Sequence, residues 1–260
     1  HWAASRDLPY VKRGAYEAAS RRILADLENA RGGFLRIGGG SGSGRSRLLR
    51  EIAADMASKR MVVETYSALQ GEPSGSLLRR ILSDLQLGFE GLKVVDEAGL
   101  ARTLARRILH GLTRREFTTV LLVDALEDAD SLTRQVFSAL ERMLAGLAER
   151  YPKVQIVASD SVGDIVLQPM SHSELEAWIQ ALFPGRRVPK SALDVLQNSC
   201  HGQPRRLTRA IRSSLNQGIL TSDSMSVKLD VARFESLKLP QSETEAVRQS
   251  IESLSPEATE

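Results

Sequence analysis

Eight residues, from Gly39 to Ser46, have the types and spacing of a loop that holds phosphate groups. The stretch reads GGSGSGRS and fits the pattern Gly-x4-Gly-[Lys/Arg]-[Ser/Thr]. Glycines such as Gly39, Gly42 and Gly44 let successive backbone N–H groups turn towards an anion, and a following helix start adds partial positive charge. The hydroxyl of Ser46 stands where such a loop supplies a ligand to Mg²⁺.

The elements on either side decide whether this stretch is a binding loop or a flexible Gly/Ser linker. Before it, Phe34, Leu35 and Ile37 form a short apolar run that predicts a buried strand. After it, one apolar stripe predicts a helix, and its members are Leu48, Leu49, Ile52, Ala53 and Met56. A strand, a glycine loop and a helix in this order favour phosphate binding over a linker.

A second acidic strand is expected beside this loop, and the stretch TTVLLVDALEDAD supplies it. Thr119 to Val123 read as a buried parallel strand, and Asp124 follows at its carboxyl end, where open α/β sheets place their ligands. Asp124 is therefore the candidate ligand to Mg²⁺ or its bound water, with Glu127 as a weaker catalytic candidate. The alternative is a helix-capping or loop carboxylate with no chemical role.

Alternation of strands and helices predicts an α/β fold with a doubly wound parallel sheet. Two further strands are expected in MVVETYS and KVQIVASD. From residue 167 to 220 the chain reads as three short helices, so we expect a phosphate-loop core at 1–165 and a small all-helical lid at 166–220. Residues 221–260 are expected to be a linker or the start of a winged-helix or helical-repeat segment.

These motifs together resemble the AAA+-related ATPase module of the STAND signalling NTPases, from Leu8 to about Leu220. Family loops often read GxxGxGKTRLL, and GGSGSGRSRLL stands here, so that Arg47, Leu48 and Leu49 match. The family's acidic strand reads hhhhDDLHWAD in one branch, and LLVDALEDAD stands here.

The resemblance implies ATP or ADP with Mg²⁺ as the cofactor, and a cytoplasmic regulator with protein partners or fused output domains and scope for self-association. Seven core residues would hold the nucleotide: Gly39, Gly42, Gly44, Arg45, Ser46, Arg47 and Asp124. Mg²⁺ would be held by Ser46 and Asp124. Arg205 in the lid stands where many AAA+ lids carry a nucleotide sensor, although it also fits a solvated basic helix face.

Departures from the family pattern cluster at the nucleotide site. Arg45 replaces the loop lysine, Ala125 replaces the second acid of the acidic strand, and Asp160 stands where a phosphate-sensing arginine is usual. Phosphoryl transfer depends on positive charge at the transferred group, so these changes predict absent or very slow hydrolysis.

The composition limits which classes of function are consistent with the sequence. The 260 residues carry 35 Lys and Arg against 32 Asp and Glu, and a net charge of +3 does not by itself indicate nucleic acid. One cysteine excludes an internal disulfide, and no apolar run reaches the length of a membrane span. Three functions stay open: a degenerate regulatory or scaffolding module with weak or no nucleotide binding, a functional ATP-binding switch, and a DNA-associated AAA+ module.

Overall fold

The computed structural model describes residues 9–88 and 96–237, and they divide into two compact units. Among the described residues, the core unit comprises those from Arg13 to Gln168, and the helical unit comprises those before Arg13 and those from Pro169 to Leu237. Residues 238–260 of the expected linker or winged-helix segment, and Leu8, lie outside the described residues.

The core unit is built on one five-stranded parallel sheet with the order β2-β3-β4-β1-β5. Its strands are β1 (Gly33–Gly38), β2 (Val62–Ser67), β3 (Thr119–Asp124), β4 (Val154–Ser159) and β5 (Ile165–Val166). Its helices are α1 (Gly14–Glu28), α2 (Arg45–Ser58), α3 (Ser76–Asp84), α4 (Glu97–Thr113) and α5 (Ser131–Leu147). This arrangement is the α/β parallel fold that the sequence predicts.

Burial follows from the position of each strand in the sheet. Every residue of β4 is buried, and β3 is buried up to Asp124, because both strands are central and covered on both faces. The apolar sides of α3, α4 and α5 pack with Leu121, Val123 and Ile156 in one core cluster. The helix α2 packs against β2, β3 and β4 on the opposite face, where its residues Leu48 and Ile52 are buried.

The N-cap residue of α5, Asp130, also forms a hydrogen bond with the segment before α3. The Asp130 carboxylate accepts hydrogen bonds from the Thr133 N–H at 3.2 Å and the Gly75 N–H at 3.1 Å. Burial by itself raises the pKa of this carboxyl, but the hydrogen bonds from Thr133, Gly75 and Ser74 outweigh it and hold the pKa below its usual value. Asp130 is thus a structural cap.

The helical unit has a core of its own. Its elements are α6 (His172–Leu182), α7 (Lys190–Cys200), α8 (Pro204–Asn216), β6 (Leu220–Ser222), β7 (Val227–Leu229) and α9 (Val231–Glu235). Trp178 is buried in this core and donates a hydrogen bond from Nε1 to the Pro9 carbonyl at 2.9 Å, so the described residues before Arg13 belong to this unit.

The helical unit extends past residue 220, where the sequence analysis ends the lid. The antiparallel pair β6–β7 follows α8 directly, and Val227 and Phe234 are buried in the same core as Trp178. Their burial is the physical reason that residues 221–237 pack with the three helices.

Candidate phosphate-binding site

The loop from Gly39 to Gly44 has a backbone that only glycines adopt easily. Gly39, Gly42 and Gly44 have φ values of 148°, 80° and 100°. A Cβ on Gly39 would also lie 2.7 Å from the Ser43 hydroxyl oxygen, closer than side chains tolerate. The three glycines that the sequence assigns to a phosphate cradle are therefore the residues at which the chain makes its turns.

Contacts from three other segments hold this loop in place. The Leu167 N–H donates to the Gly38 carbonyl at 2.8 Å, and the Gly39 N–H donates to the Ser161 carbonyl at 3.3 Å. Arg13 donates from Nη1 to the Ser43 carbonyl at 3.4 Å. Sequence reasoning did not single out Arg13, which is the N-cap residue of α1.

The start of α2 faces the loop without a side-chain cap. Its N-cap is Gly44, which has no side chain to accept from the first N–H groups, and the helix begins at Arg45. Uncapped N–H groups together with the helix dipole favour an anion at this position. Ser46 lies in the first turn with its side chain exposed.

Arg45 is paired within the protein. Its Nη2 donates to Oε1 of Glu127, which lies in a short 3-10 turn at Leu126–Asp128 after β3. The two side chains are only 13% and 25% exposed. The sequence predicts that Glu127 is a weak catalytic candidate, whereas in the structure it is the ion-pair partner of Arg45, the residue that replaces the loop lysine.

Three polar atoms around this pair are buried without a hydrogen-bond partner among the residues that the structure describes. They are the Ser43 Oγ, the second terminal nitrogen of Arg45 and the second carboxylate oxygen of Glu127. Buried polar atoms in proteins are normally bonded to protein, water or ligand. Donors orphaned at the mouth of a glycine cradle are what a bound phosphate would satisfy.

Asp124 ends β3, and its carboxylate is oriented by a neighbouring strand. The Oδ1 accepts from the Ala125 N–H at 3.0 Å and from the Ser159 hydroxyl on β4. Ser159 is fully buried and also accepts from the Ala125 N–H at 2.8 Å. Sequence reasoning did not assign Ser159 a role, because a serine at a strand end carries no distinctive pattern.

Asp160, which stands where the family usually has a phosphate-sensing arginine, forms an ion pair within the core unit. Its carboxylate lies 2.8 Å from Nη1 of Arg36, and Arg36 is also 2.9 Å from Glu141 on α5. Burial lowers the pKa of the Arg36 guanidinium, but the carboxylates of Glu141, Asp160 and Asp164 outweigh this effect and raise the pKa overall. The acid at the sensing position is therefore neutralised by an arginine of β1.

Two other residues that the sequence assigns to nucleotide binding are Arg47 and Arg205. Arg47 on α2 forms an ion pair with Glu51 at 2.8 Å, one turn along the same helix. Arg205 lies exposed in the first turn of α8, in the helical unit, and its assignment as a nucleotide sensor stays a prediction.

The described residues contain no group of three or more His, Cys, Asp or Glu side chains that suits a metal ion. Ser46 and Asp124 are thus the candidate Mg²⁺ ligands only in company with nucleotide phosphate, as in nucleotide sites where Mg²⁺ takes few protein ligands. No described helix combines the length and the apolar character needed to cross a membrane.

Comparison with known proteins gives the fold and no close relative. No protein-family model matches the chain, and the search of curated proteins returned no match. Among solved structures, Drosophila ORC bound to DNA is similar with a TM-score of 0.58 at 17% identity, covering 97% of this chain and 67% of that one.

Two archaeal structures are similar to a comparable degree. The Aeropyrum pernix ORC1 protein in complex with DNA has a TM-score of 0.53 at 16% identity, covering 90% of this chain and 68% of that chain. Cdc6p from Pyrobaculum aerophilum has a TM-score of 0.52 at 11% identity, covering 84% of this chain and 65% of that chain.

The sheet order, the glycine loop between β1 and α2, and these similarities give the fold: a parallel α/β fold of the AAA+ type, shared with these solved structures. At identities of 11–17%, the likeness concerns the fold.

Proposed function

We propose that this chain is a nucleotide-binding regulatory module of the AAA+ fold, of the STAND signalling type, with weak affinity for ATP or ADP and little hydrolysis. The backbone of Gly39–Gly44, the start of α2 and the Ser43 hydroxyl would hold the phosphates. Ser46 and Asp124 would hold Mg²⁺, which supplies charge neutralisation on the phosphate oxygens. Protein partners or fused domains would carry the output.

The observation that supports nucleotide binding is that two buried donors at an uncapped helix start, the Ser43 hydroxyl and the second terminal nitrogen of Arg45, have no partner among the described residues. Both donors, the Ser43 hydroxyl and the second terminal nitrogen of Arg45, belong to the glycine loop and to the helix start that follows it, where a phosphate could accept from them. Burying such groups without a partner costs about 1–3 kcal/mol each, so a ligand that bonds to them gains that energy.

The Arg45–Glu127 pair supports weak rather than tight binding. A phosphate that recruits the Arg45 guanidinium must displace the Glu127 carboxylate or accept its charge nearby, and like charges at close range oppose binding. The guanidinium is also a planar fork, which does not reproduce the compact ammonium of a lysine.

Slow hydrolysis follows from what surrounds Asp124. Ala125 carries no carboxylate to orient an attacking water, and Ser159 holds the Asp124 carboxylate in place. Glu127, three residues after Asp124, is paired with Arg45. In a steady-state assay we expect turnover at background, and a rate well above background that is lost in Asp124→Asn would contradict this part of the proposal.

Thermal unfolding with and without 10 mM ATP·Mg²⁺ tests nucleotide binding. With a Kd of about 1 mM, mass action stabilises the native state by about 1.4 kcal/mol, which raises the Tm by roughly 3–5 °C for a chain of this size. Ser46→Ala should lose the Mg²⁺-dependent part of the shift, since its exposed hydroxyl is the candidate ligand. Ser58→Ala, at the other end of α2, is the matched control and should keep the full shift.

Glu127→Gln separates a weak site from an empty one. The variant releases Arg45 and removes a negative charge, so ATP should bind about fivefold more tightly, equivalent to about 1 kcal/mol. If neither the wild type nor Glu127→Gln shows a saturable shift with ATP, the nucleotide-binding proposal is wrong and the scaffold function takes its place.

A further inference from the structure

A basic groove lies between α4 and α5, on the face of the sheet opposite to α2. It encloses about 330 Å³ and is lined by three arginines, Arg102 from α4 and Arg134 and Arg142 from α5. We call this surface the arginine groove. The remaining lining is small or polar and consists of Ala98, Ala101, Ser131, Gln135, Ser138 and Ala139.

The charge of the arginine groove is uncompensated within the described residues. No acidic side chain lines it, and none of the three arginines forms an ion pair with a described carboxylate. By contrast, Arg36, Arg45 and Arg115 of the same unit are each paired with an acid. All three groove arginines are exposed, so this charge is accessible to an anion.

The dimensions of the groove favour an extended polyanion over a single phosphate. Arg134 and Arg142 are eight residues apart on α5, which separates them by about 12 Å along the helix axis. Arg102 reaches in from the neighbouring helix. The alanine side chains that line the groove are small and leave room for a chain of phosphates to approach both helices.

The chemistry of the lining favours nucleic acid over an acidic protein. Guanidinium, hydroxyl and amide groups are the side chains that contact phosphate oxygens in nucleic-acid complexes. Protein interfaces instead have an apolar centre, and the exposed large apolar side chains of the described residues all lie outside the groove. No aromatic side chain on which bases would stack lines the groove. We therefore expect contacts to the phosphate backbone and not to the bases.

We propose that the arginine groove binds the phosphate backbone of nucleic acid without reading its sequence. This function is separate from the nucleotide-binding proposal, because the groove lies between α4 and α5, whereas the glycine loop leads into α2 on the opposite face of the sheet. The net charge of +3 does not reveal it, since the acids that balance the arginines of this chain lie elsewhere.

Fluorescence anisotropy with a labelled 20-base-pair DNA duplex, at several KCl concentrations and without ATP, tests the proposal. The test variant is the triple substitution Arg102→Gln, Arg134→Gln and Arg142→Gln. We expect binding at least about tenfold weaker at low salt, and a plot of log K against log salt that is less steep by about 2.7, from three lost phosphate contacts at about 0.9 each.

The matched control removes the same charge from exposed arginines elsewhere in the core unit, as Arg21→Gln, Arg31→Gln and Arg50→Gln. It should keep the wild-type salt dependence, and circular dichroism should show both triple variants folded. Equal loss in both triple variants, or no binding by the wild type in 50 mM KCl, overturns the proposal.

Polyglutamate in the same assay distinguishes an acidic protein partner. If it binds the wild type as tightly as the duplex and the groove variant loses both equally, the surface is a site for acidic proteins and the nucleic-acid proposal is wrong. The Ser46→Ala variant should bind DNA like the wild type, so failure of nucleotide binding and failure of this proposal are separate results.

Discussion

At the scale of single residues, the charges of the candidate site are already engaged by protein groups. Arg45 is paired with Glu127, the Asp124 carboxylate is bonded to Ser159, and Asp160 is paired with Arg36. Each pairing lowers the free charge facing a nucleotide, which explains a site that would bind phosphate through its backbone more than through its side chains.

Ala125 has the left-handed backbone conformation, with φ 57° and ψ 45°, immediately after Asp124. This conformation costs a residue with a Cβ about 1–2 kcal/mol. Here the turn at Ala125 places Glu127, which is two residues further along the chain, next to Arg45. The strain and the ion pair therefore belong to one local arrangement.

Replacing Ala125 by glycine tests this strain. The substitution removes the left-handed penalty but adds about 0.4–1 kcal/mol of unfolded-state entropy, so urea unfolding should show unchanged stability or a gain of up to about 1.6 kcal/mol. Ala129→Gly, at an extended position with φ −72°, should lose up to about 1 kcal/mol. A loss in Ala125→Gly as large as in Ala129→Gly would show that the conformation is not strained.

At the scale of elements, the strand before the loop is fixed by a very close approach of two backbones. A Cβ on Gly163 would lie 2.3 Å from the Gly38 nitrogen and 2.6 Å from the Arg36 carbonyl oxygen. This approach lets β5 pair with the end of β1. The glycine at 163 thus helps to place the start of the phosphate loop.

Gly163→Ala should lower the free energy of unfolding by about 1–3 kcal/mol, because the added methyl group forces the two backbones apart. The control is Gly146→Ala on α5, where a Cβ would have no neighbour within 4 Å and helix propensity predicts a gain of about 0.5–1 kcal/mol. Chemical denaturation of both variants gives the comparison, and equal effects of the two substitutions would exclude a tight crossing at Gly163.

At the scale of the whole molecule, the chain consists of two units with separate cores. The single cysteine, Cys200, is fully buried in the helical unit. Burial raises the pKa of its thiol to about 11. The thiol is therefore neutral and shielded in the native state at pH 8.

Cys200 should report on opening of the helical unit. A disulfide reagent at pH 8 should leave the native thiol unreacted and modify it completely in urea, as followed by absorbance. Because folding raises the pKa of this thiol, its contribution to the free energy of unfolding is present below about pH 9 and is lost as the pH rises towards about 11. The Cys200→Ala variant should therefore lose less stability than the wild type over this pH range. Rapid modification of the native protein would show that the helical unit opens readily.

Much of the fold can be predicted from local sequence, for physical reasons that particular residues illustrate. The apolar run before the loop, the stripe from Leu48 to Met56 and the run Thr119–Val123 each reflect burial of a single element, and burial is periodic along the chain. The pairing of Arg45 with Glu127, 82 positions away, leaves no such trace.

The sequence by itself therefore determined the parallel α/β class, the glycine loop and the acid after β3, because each depends on neighbours along the chain. Only the tertiary structure decided which charges neutralise each other and which stay uncompensated. Arg36 meets Asp160 and Glu141, and Arg102 joins Arg134 and Arg142, because packing of strands and helices brings distant residues together. Electrostatic interactions depend on distance in space, and distance along the chain does not determine it.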